Sequence, residues 1–247
     1  MVTVEEAHQV IEQAIGTYAF PDQPAGLYDP ARYFMGLGGK RIRPVMSLLS
    51  AGVFTSDLQP CIEPALAMEV FHNFTLVHDD IMDDAPLRRG AATVHTRWDI
   101  NTAILSGDVL LIEAYQLLLK APPEKLPAVL ALFTQTAKEV CEGQQMDMDF
   151  EQMDVVDLDT YLTMIRLKTS VLLGCSMATG ALCGGATEEE AQLLYTFGEQ
   201  LGIAFQIMDD YLDAYPGEGG FGKKPGGDIE RKKKTFLYIR ALELSDE

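Results

Sequence analysis

At 247 residues, 47% of them hydrophobic, the chain can bury one sizeable core. Its formal net charge of −18 argues against a nucleic-acid-binding surface and against a membrane patch held by anionic lipid. Four cysteines, Cys61, Cys141, Cys175 and Cys183, stand at neither CxxC nor zinc-site spacings and read as reduced packing residues of a cytoplasmic protein. The first residues lack the basic start and long apolar core of a signal peptide, and nothing reaches the roughly 18 uninterrupted apolar residues of a membrane span. No stable membrane insertion is expected.

In chain order, an amphipathic helix is predicted over roughly 3 to 16, followed by a Pro/Gly-rich connection. Pro30 to Met35 reads as helix ended by GLGGKRIRP, where Lys40, Arg41 and Arg43 form a compact basic triplet. Pro44 then suits a first helical turn, since its missing N–H is harmless there, and PVMSLLSAGVF reads as buried helix. Glu63 to His78 is helical, with Leu66, Val70, Phe74 and Val77 recurring at three- and four-residue steps. Glu69 and His72 share one of its faces; the histidine reads either as a packing residue or as part of a substrate channel leading to the aspartates beyond it. Thr93 to Leu119 follows a helical pattern interrupted at Gly107 and Asp108, APPEKLP is a loop, and 126 to 150 is a long periodic segment. At its polar end Glu142, Gln144 and Asp147 are either near neighbours or simply solvated.

Asp159 is the expected N-cap of the next apolar helix, which carries Lys168 and Thr169. That lysine either snorkels or presents a point charge to a phosphate. Glu188 to Tyr211 is another long helix. The loop PGEGGFGKKPGGDIERKKKT holds Lys223, Lys224, Lys232, Lys233 and Lys234 but lacks the residue order of a P-loop, and FLYIRALELSDE is helical again. No sustained alternation signals a β-strand.

The chemistry is concentrated where two helices end. Asp79, Asp80 and Asp83 stand at i, i+1 and i+4, followed by Arg88 and Arg89; Asp209, Asp210 and Asp213 repeat the spacing in QIMDDYLD. On a helix such carboxylates crowd one rim and repel. One trio alone is as readily a solvated face. Two, each at the end of an apolar helix-length run, can cage divalent ions, and hard oxygen donors suit Mg2+. The basic clusters at 40 to 43, 88 to 89, 168 and 223 to 234 can bind phosphate oxygens. Together they suit a diphosphate held as a metal complex beside a second phosphorylated ligand, with metal and lysines stabilising a leaving diphosphate.

GGKRIRP at 38 to 44, DDIMD with RRG at 79 to 90, GQ at 143 to 144, KT at 168 to 169, FQIMDDYLD at 205 to 213 and GKKPGGDIERKKKT at 222 to 235 occur in one order over essentially the whole chain. In this the sequence resembles the trans-isoprenyl diphosphate synthases of the polyprenyl synthetase family. The resemblance implies an all-α fold, a single-domain helical bundle around a central cavity, and a homodimer.

It also implies roles. Asp79, Asp83 and Asp209 are the principal ligands of three Mg2+ ions, with Mn2+ as a substitute, and Asp80, Asp210 and Asp213 complete the motifs through water or hydrogen bonds. Arg88, Lys168 and Lys223 clamp the allylic diphosphate, with Lys233 at a further lysine position. Lys40, Arg41, His72 and Arg89 bind isopentenyl diphosphate. Thr169 and Gln206 lie beside the reacting carbons, and Phe74 with Thr75 sets the floor that limits product length.

The implied reaction is head-to-tail condensation of isopentenyl diphosphate with an allylic diphosphate, giving geranylgeranyl diphosphate (C20) or farnesyl diphosphate (C15). A terpene-cyclase-like lyase would share the acidic sites but has no need of the second basic site, and a non-catalytic subunit of a heteromeric synthase would typically have lost one trio. Residues 1 to 247 form one polyprenyl synthetase domain that, by the resemblance, lacks the family's last C-terminal helices.

Overall fold

The structure is a computed structural model describing residues 2–215, 229 and 233–245. Its helices are α1 (Val4–Thr17), α2 (Ala25–Met35), α3 (Ile42–Phe54), α4 (Gln59–Met82), α5 (Val94–Arg97), α6 (Ile100–Leu118), α7 (Leu126–Phe150), α8 (Leu158–Ile165), α9 (Val171–Cys183), α10 (Glu188–Ala214) and α11 (Phe236–Ser245). A π-helical turn, Arg166–Ser170, joins α8 to α9, and two short strands, β1 (Leu87–Arg88) and β2 (Ala91–Ala92), follow α4. The class is all-α. Packing separates the chain into two compact units, Met1–Leu130 with Ser176–Ala191, and Ala131–Cys175 with Gln192–Glu247.

The first unit is built around α4, which packs on α6, α3 and α1. Every residue from Pro64 to Phe71 is buried, Glu69 among them. A helix covered on all sides needs apolar residues on all sides, which is why α4 has so little one-sidedness. It begins at Gln59 and runs to Met82, so Asp79 and Asp80 occupy its last turn and Asp83 is its C-cap. Helix α1 is fixed by a capping box between Thr3 and Glu6. Helix α2 includes the expected Pro30–Met35 stretch and begins at Ala25, with Pro30 buried within it.

Two expectations fail here for local reasons. Helix α6 runs unbroken through Gly107, because this glycine is a place of close approach: a Cβ there would lie 2.3 Å from His78 Nε2. The β-hairpin escaped detection because its paired strands have two residues each, too few for alternation. Its signal was in the turn. Arg89 and Gly90 have φ of 55° and 79°, the paired positive dihedrals of a two-residue type I′ connection.

In the second unit, Phe150, Val156, Tyr161, Met164, Ile165 and Ile239 form a buried cluster, with Ile203, Ile207 and Phe236 packed against it. The cap of α8 is Asp157, two residues before Asp159: its carboxylate accepts from the Thr160 N–H at 2.8 Å, and Asp159 falls in the first turn. Among the described residues no helix is long and apolar enough to cross a membrane.

Candidate active site

The first acidic cluster is held by the hairpin beside it. Arg88 Nε and Nη2 donate to Asp80 Oδ1 at 2.8 and 2.6 Å, and Nη2 reaches Asp79 Oδ2 at 3.4 Å. Burial pushes the Asp80 carboxyl up, while the hydrogen bond and charge of Arg88 pull it down. Asp80 is 1% exposed, and its other oxygen, Oδ2, is buried without a hydrogen-bond partner among the described residues. Asp83 donates its N–H to the Asp79 carbonyl at 2.9 Å, closing the last turn.

Two turns earlier, α4 meets the basic residues. Arg41 is the N-cap of α3 in a left-handed conformation, φ 47°, and its guanidinium turns inward. It donates to Glu69 Oε1 at 2.6 Å, to Glu12 Oε1 at 3.0 Å and to the Met35 carbonyl at 3.1 Å. Asn73 Nδ2 adds a contact to Glu69 Oε1 at 3.2 Å. Arg43 is differently placed: burial pushes its guanidinium down to about 10, Glu69 opposes this and Arg89 adds to it, and its Nε is buried without a partner among the described residues. Arg89 donates to the Gly38 carbonyl.

His72 has Arg43, Arg89, Arg88 and Arg41 as electrostatic neighbours, and burial followed by those four charges holds its imidazole well below 6.5. The folded chain therefore keeps His72 neutral where the unfolded chain takes up a proton. Its contribution to stability is complete above about pH 6.5 and falls as pH drops below that value. In a pH series, the NMR ring resonances of His72 are expected to show no titration step at 6.5; a step there would contradict this placement.

In the second unit, Lys168 and Thr169 sit on the π-helical turn, where Lys168 Nζ donates to Asp147 Oδ2 at 2.5 Å. π-Bulges of this kind re-aim side chains and recur at functional sites. The turn presses on α7 at Gly143, where a Cβ would stand 2.2 Å from the Lys168 backbone nitrogen. This gives the glycine of the Gly-Gln pair a steric reason. Thr169 Oγ1 donates to Gln206 Oε1 at 3.4 Å. Asp210 is buried and accepts from the Tyr161 hydroxyl at 2.6 Å, the Phe236 N–H at 3.0 Å and Gln206 Nε2 at 3.3 Å. Asp209 and Asp213 share the last turns of α10 and are half-buried.

The sequence profile described as polyprenyl synthetase matches residues 24–247. The chain belongs to the polyprenyl synthetase family. It is 44% identical over 242 residues to a geranylgeranyl pyrophosphate synthase of Geoglobus acetivorans, covering 97% of this chain and 76% of that protein. A geranylfarnesyl diphosphate synthase of Natronomonas pharaonis is 35% identical over 257 residues, covering 96% of this chain and 75% of the relative. A crystal structure of a geranylgeranyl pyrophosphate synthase superimposes with a TM-score of 0.96 at 49% identity, over 100% of this chain and 75% of that one. The fold is the all-α helical bundle of the isoprenoid synthases.

Members of the polyprenyl synthetase family are expected to use Mg2+, and the donors here are of the right kind. They are all carboxylate oxygens, and Asp80 Oδ2 is a buried acceptor with no donor among the described residues. Among the described residues no three such side chains already converge as a metal site. Lys40 is exposed and Lys233 half-buried just before α11, while Lys223, Lys224 and Lys232 lie outside the described residues. Glu142 turns away to Lys138, so of the polar residues ending α7 it is Asp147 that meets Lys168.

Three participants were not singled out in advance: Arg43 as distinct from Arg41, Asp147 as the partner of Lys168, and Tyr161. Arg43 was visible within the basic triplet. Asp147 stood out at the polar end of its segment but its pairing with Lys168 did not, and Tyr161 carried no signal, because the partners are 21 and 49 residues away.

Proposed function

We propose that this chain is a short-chain prenyltransferase that condenses isopentenyl diphosphate head-to-tail with an allylic diphosphate, in the cytoplasm and with Mg2+. The observation that carries the reading is the group of Arg41, Arg43, Arg88 and Arg89 around His72, answered among the described residues by the buried carboxylates of Glu69 and Asp80. Such a concentration of cation is relieved by a bound polyanion, and Arg88, bonded to Asp80 and Asp79, links it to the carboxylates that serve a metal. A cyclase acting on one diphosphate has no use for it.

In this reading Arg43, Arg89, Lys40 and His72 hold the diphosphate of isopentenyl diphosphate, and Arg41 braces them through Glu69. Asp79, Asp83 and Asp209 are the residues that hold Mg2+, which when bound neutralises the charge gathering on the departing allylic diphosphate. Arg88, Lys168, Lys223 and Lys233 clamp that diphosphate. The allylic carbon–oxygen bond breaks, the double bond of isopentenyl diphosphate attacks the resulting cation, and the released diphosphate takes the proton lost from the adduct. Thr169 and Gln206 present oxygens to the cation.

Phe74 sets the tail limit. Its ring lies 4.8 Å from that of His78 and 5.5 Å from that of Phe71, measured between centroids, and Thr75 beside it is small. We read the product as C20 in preference to C15. We also read the chain as a homodimer, since α6 and its C-cap leave Leu105, Ile112 and Leu119 exposed at seven-residue intervals.

Chelation of divalent ions is expected to abolish incorporation of isopentenyl diphosphate into allylic products, and added Mg2+ to restore it. Incorporation that continues in excess chelator would overturn the reading.

A further inference from the structure

Asp210 belongs to an acidic trio, yet its carboxylate is already engaged by three donors from three elements. Tyr161 on α8 and the first N–H of α11 share Oδ2, at 2.6 and 3.0 Å, and Gln206 one turn back on α10 donates to Oδ1 at 3.3 Å. Tyr161 is 2% exposed and Asp210 7% exposed. A carboxylate only accepts, so the Gln206 group facing it must be the NH2. That choice fixes the rest of the side chain: the amide oxygen is turned to Thr169, whose hydroxyl donates to it at 3.4 Å.

We propose that Tyr161 and Asp210 form a positioning pair that locks the Gln206 amide with its oxygen toward Thr169 and tethers the start of α11, the helix that Lys233 and Lys234 precede. The inference rests on the prenyltransferase reading and deepens it, because Gln206 and Thr169 are the groups beside the carbocation. Without the tyrosine hydroxyl the carboxylate loses its shortest hydrogen bond and can rotate. The amide it holds is then free to turn its NH2 to the cation. Donor hydrogens there would repel the charge that an oxygen stabilises.

The test uses Tyr161→Phe, Gln206→Leu and the double variant, with steady-state kinetics and a thermal melt for each. Tyr161→Phe is expected to lower kcat roughly tenfold, the scale on which small misplacements act, while KM for both diphosphates stays within about twofold. If the tyrosine acts through Gln206, the double variant is no worse than Gln206→Leu alone. A Tyr161→Phe protein with wild-type kcat below its melting temperature, or losses that multiply in the double variant, would overturn the proposal.

A second readout needs no turnover. With 15N-labelled glutamine, the side-chain NH2 of Gln206 is expected to exchange slowly in the wild type and to lose that protection in Tyr161→Phe. An unchanged resonance overturns the positioning role. If the wild-type chain condenses nothing, the prenyltransferase reading falls, and this resonance alone still decides whether Tyr161 orients Gln206.

Discussion

Replacing Asp79 with alanine is expected to lower kcat by about 10²- to 10³-fold, the range seen when one preorganised electrostatic contact to a developing charge is removed. The residue occupies the last turn of α4, where Arg88 Nη2 lies 3.4 Å from one of its oxygens. That contact is the longest of the three Arg88 makes with the cluster. Asp80, by contrast, is bound twice and fully buried, so its substitution would displace Arg88 and mix a structural effect with a catalytic one. Asp79 is therefore the cleaner probe. Asp79→Asn keeps the shape and removes the charge, and it is expected to lose nearly as much as Asp79→Ala. Steady-state rates at saturating Mg2+, with circular dichroism to verify folding, measure this. A loss below about tenfold for both variants would remove Asp79 from the metal-binding role.

Arg41→Ala is expected to destabilise the chain by about 3–5 kcal/mol, the cost of leaving one member of a buried ion pair without its partner. Glu69 would remain inside α4 with, among the described residues, the Asn73 amide as its hydrogen-bond donor, and Glu12 and the Met35 carbonyl would each lose a donor. Removing both charges, as in Arg41→Leu with Glu69→Leu, is expected to recover most of the loss, since a well-packed apolar pair often matches a buried salt bridge. Midpoints of urea unfolding for the three proteins measure this. If Arg41→Ala unfolds with the wild-type midpoint, the pair carries no structural weight. The neighbouring Arg43→Ala separates the two roles: it is expected to weaken binding of isopentenyl diphosphate, read as a raised KM.

These two arginines show what the sequence could and could not convey. The basic triplet was plain, and so was its use for anions, but the left-handed residue at Arg41 sends that side chain inward, and no spacing rule anticipates it. Regular helices were legible because their periodicity is local; α7 begins and ends where its pattern does, at Leu126 and Phe150. Gly107 was misread as a break since a glycine required for close packing and one that ends a helix look alike in a sequence. Asp159 was the expected cap, but it is the carboxylate of Asp157 that reaches the Thr160 N–H. The two acidic trios were found by spacing alone. That Asp210 serves as a hub for Tyr161, Gln206 and α11 became visible only once residues far apart in the chain were brought together.

The most direct test of the account is to incubate the purified chain with Mg2+, isopentenyl diphosphate and dimethylallyl, geranyl or farnesyl diphosphate, and to size the dephosphorylated products by mass spectrometry. The account predicts head-to-tail alcohols that stop at C20. No elongation from any primer by a protein verified as folded would contradict it.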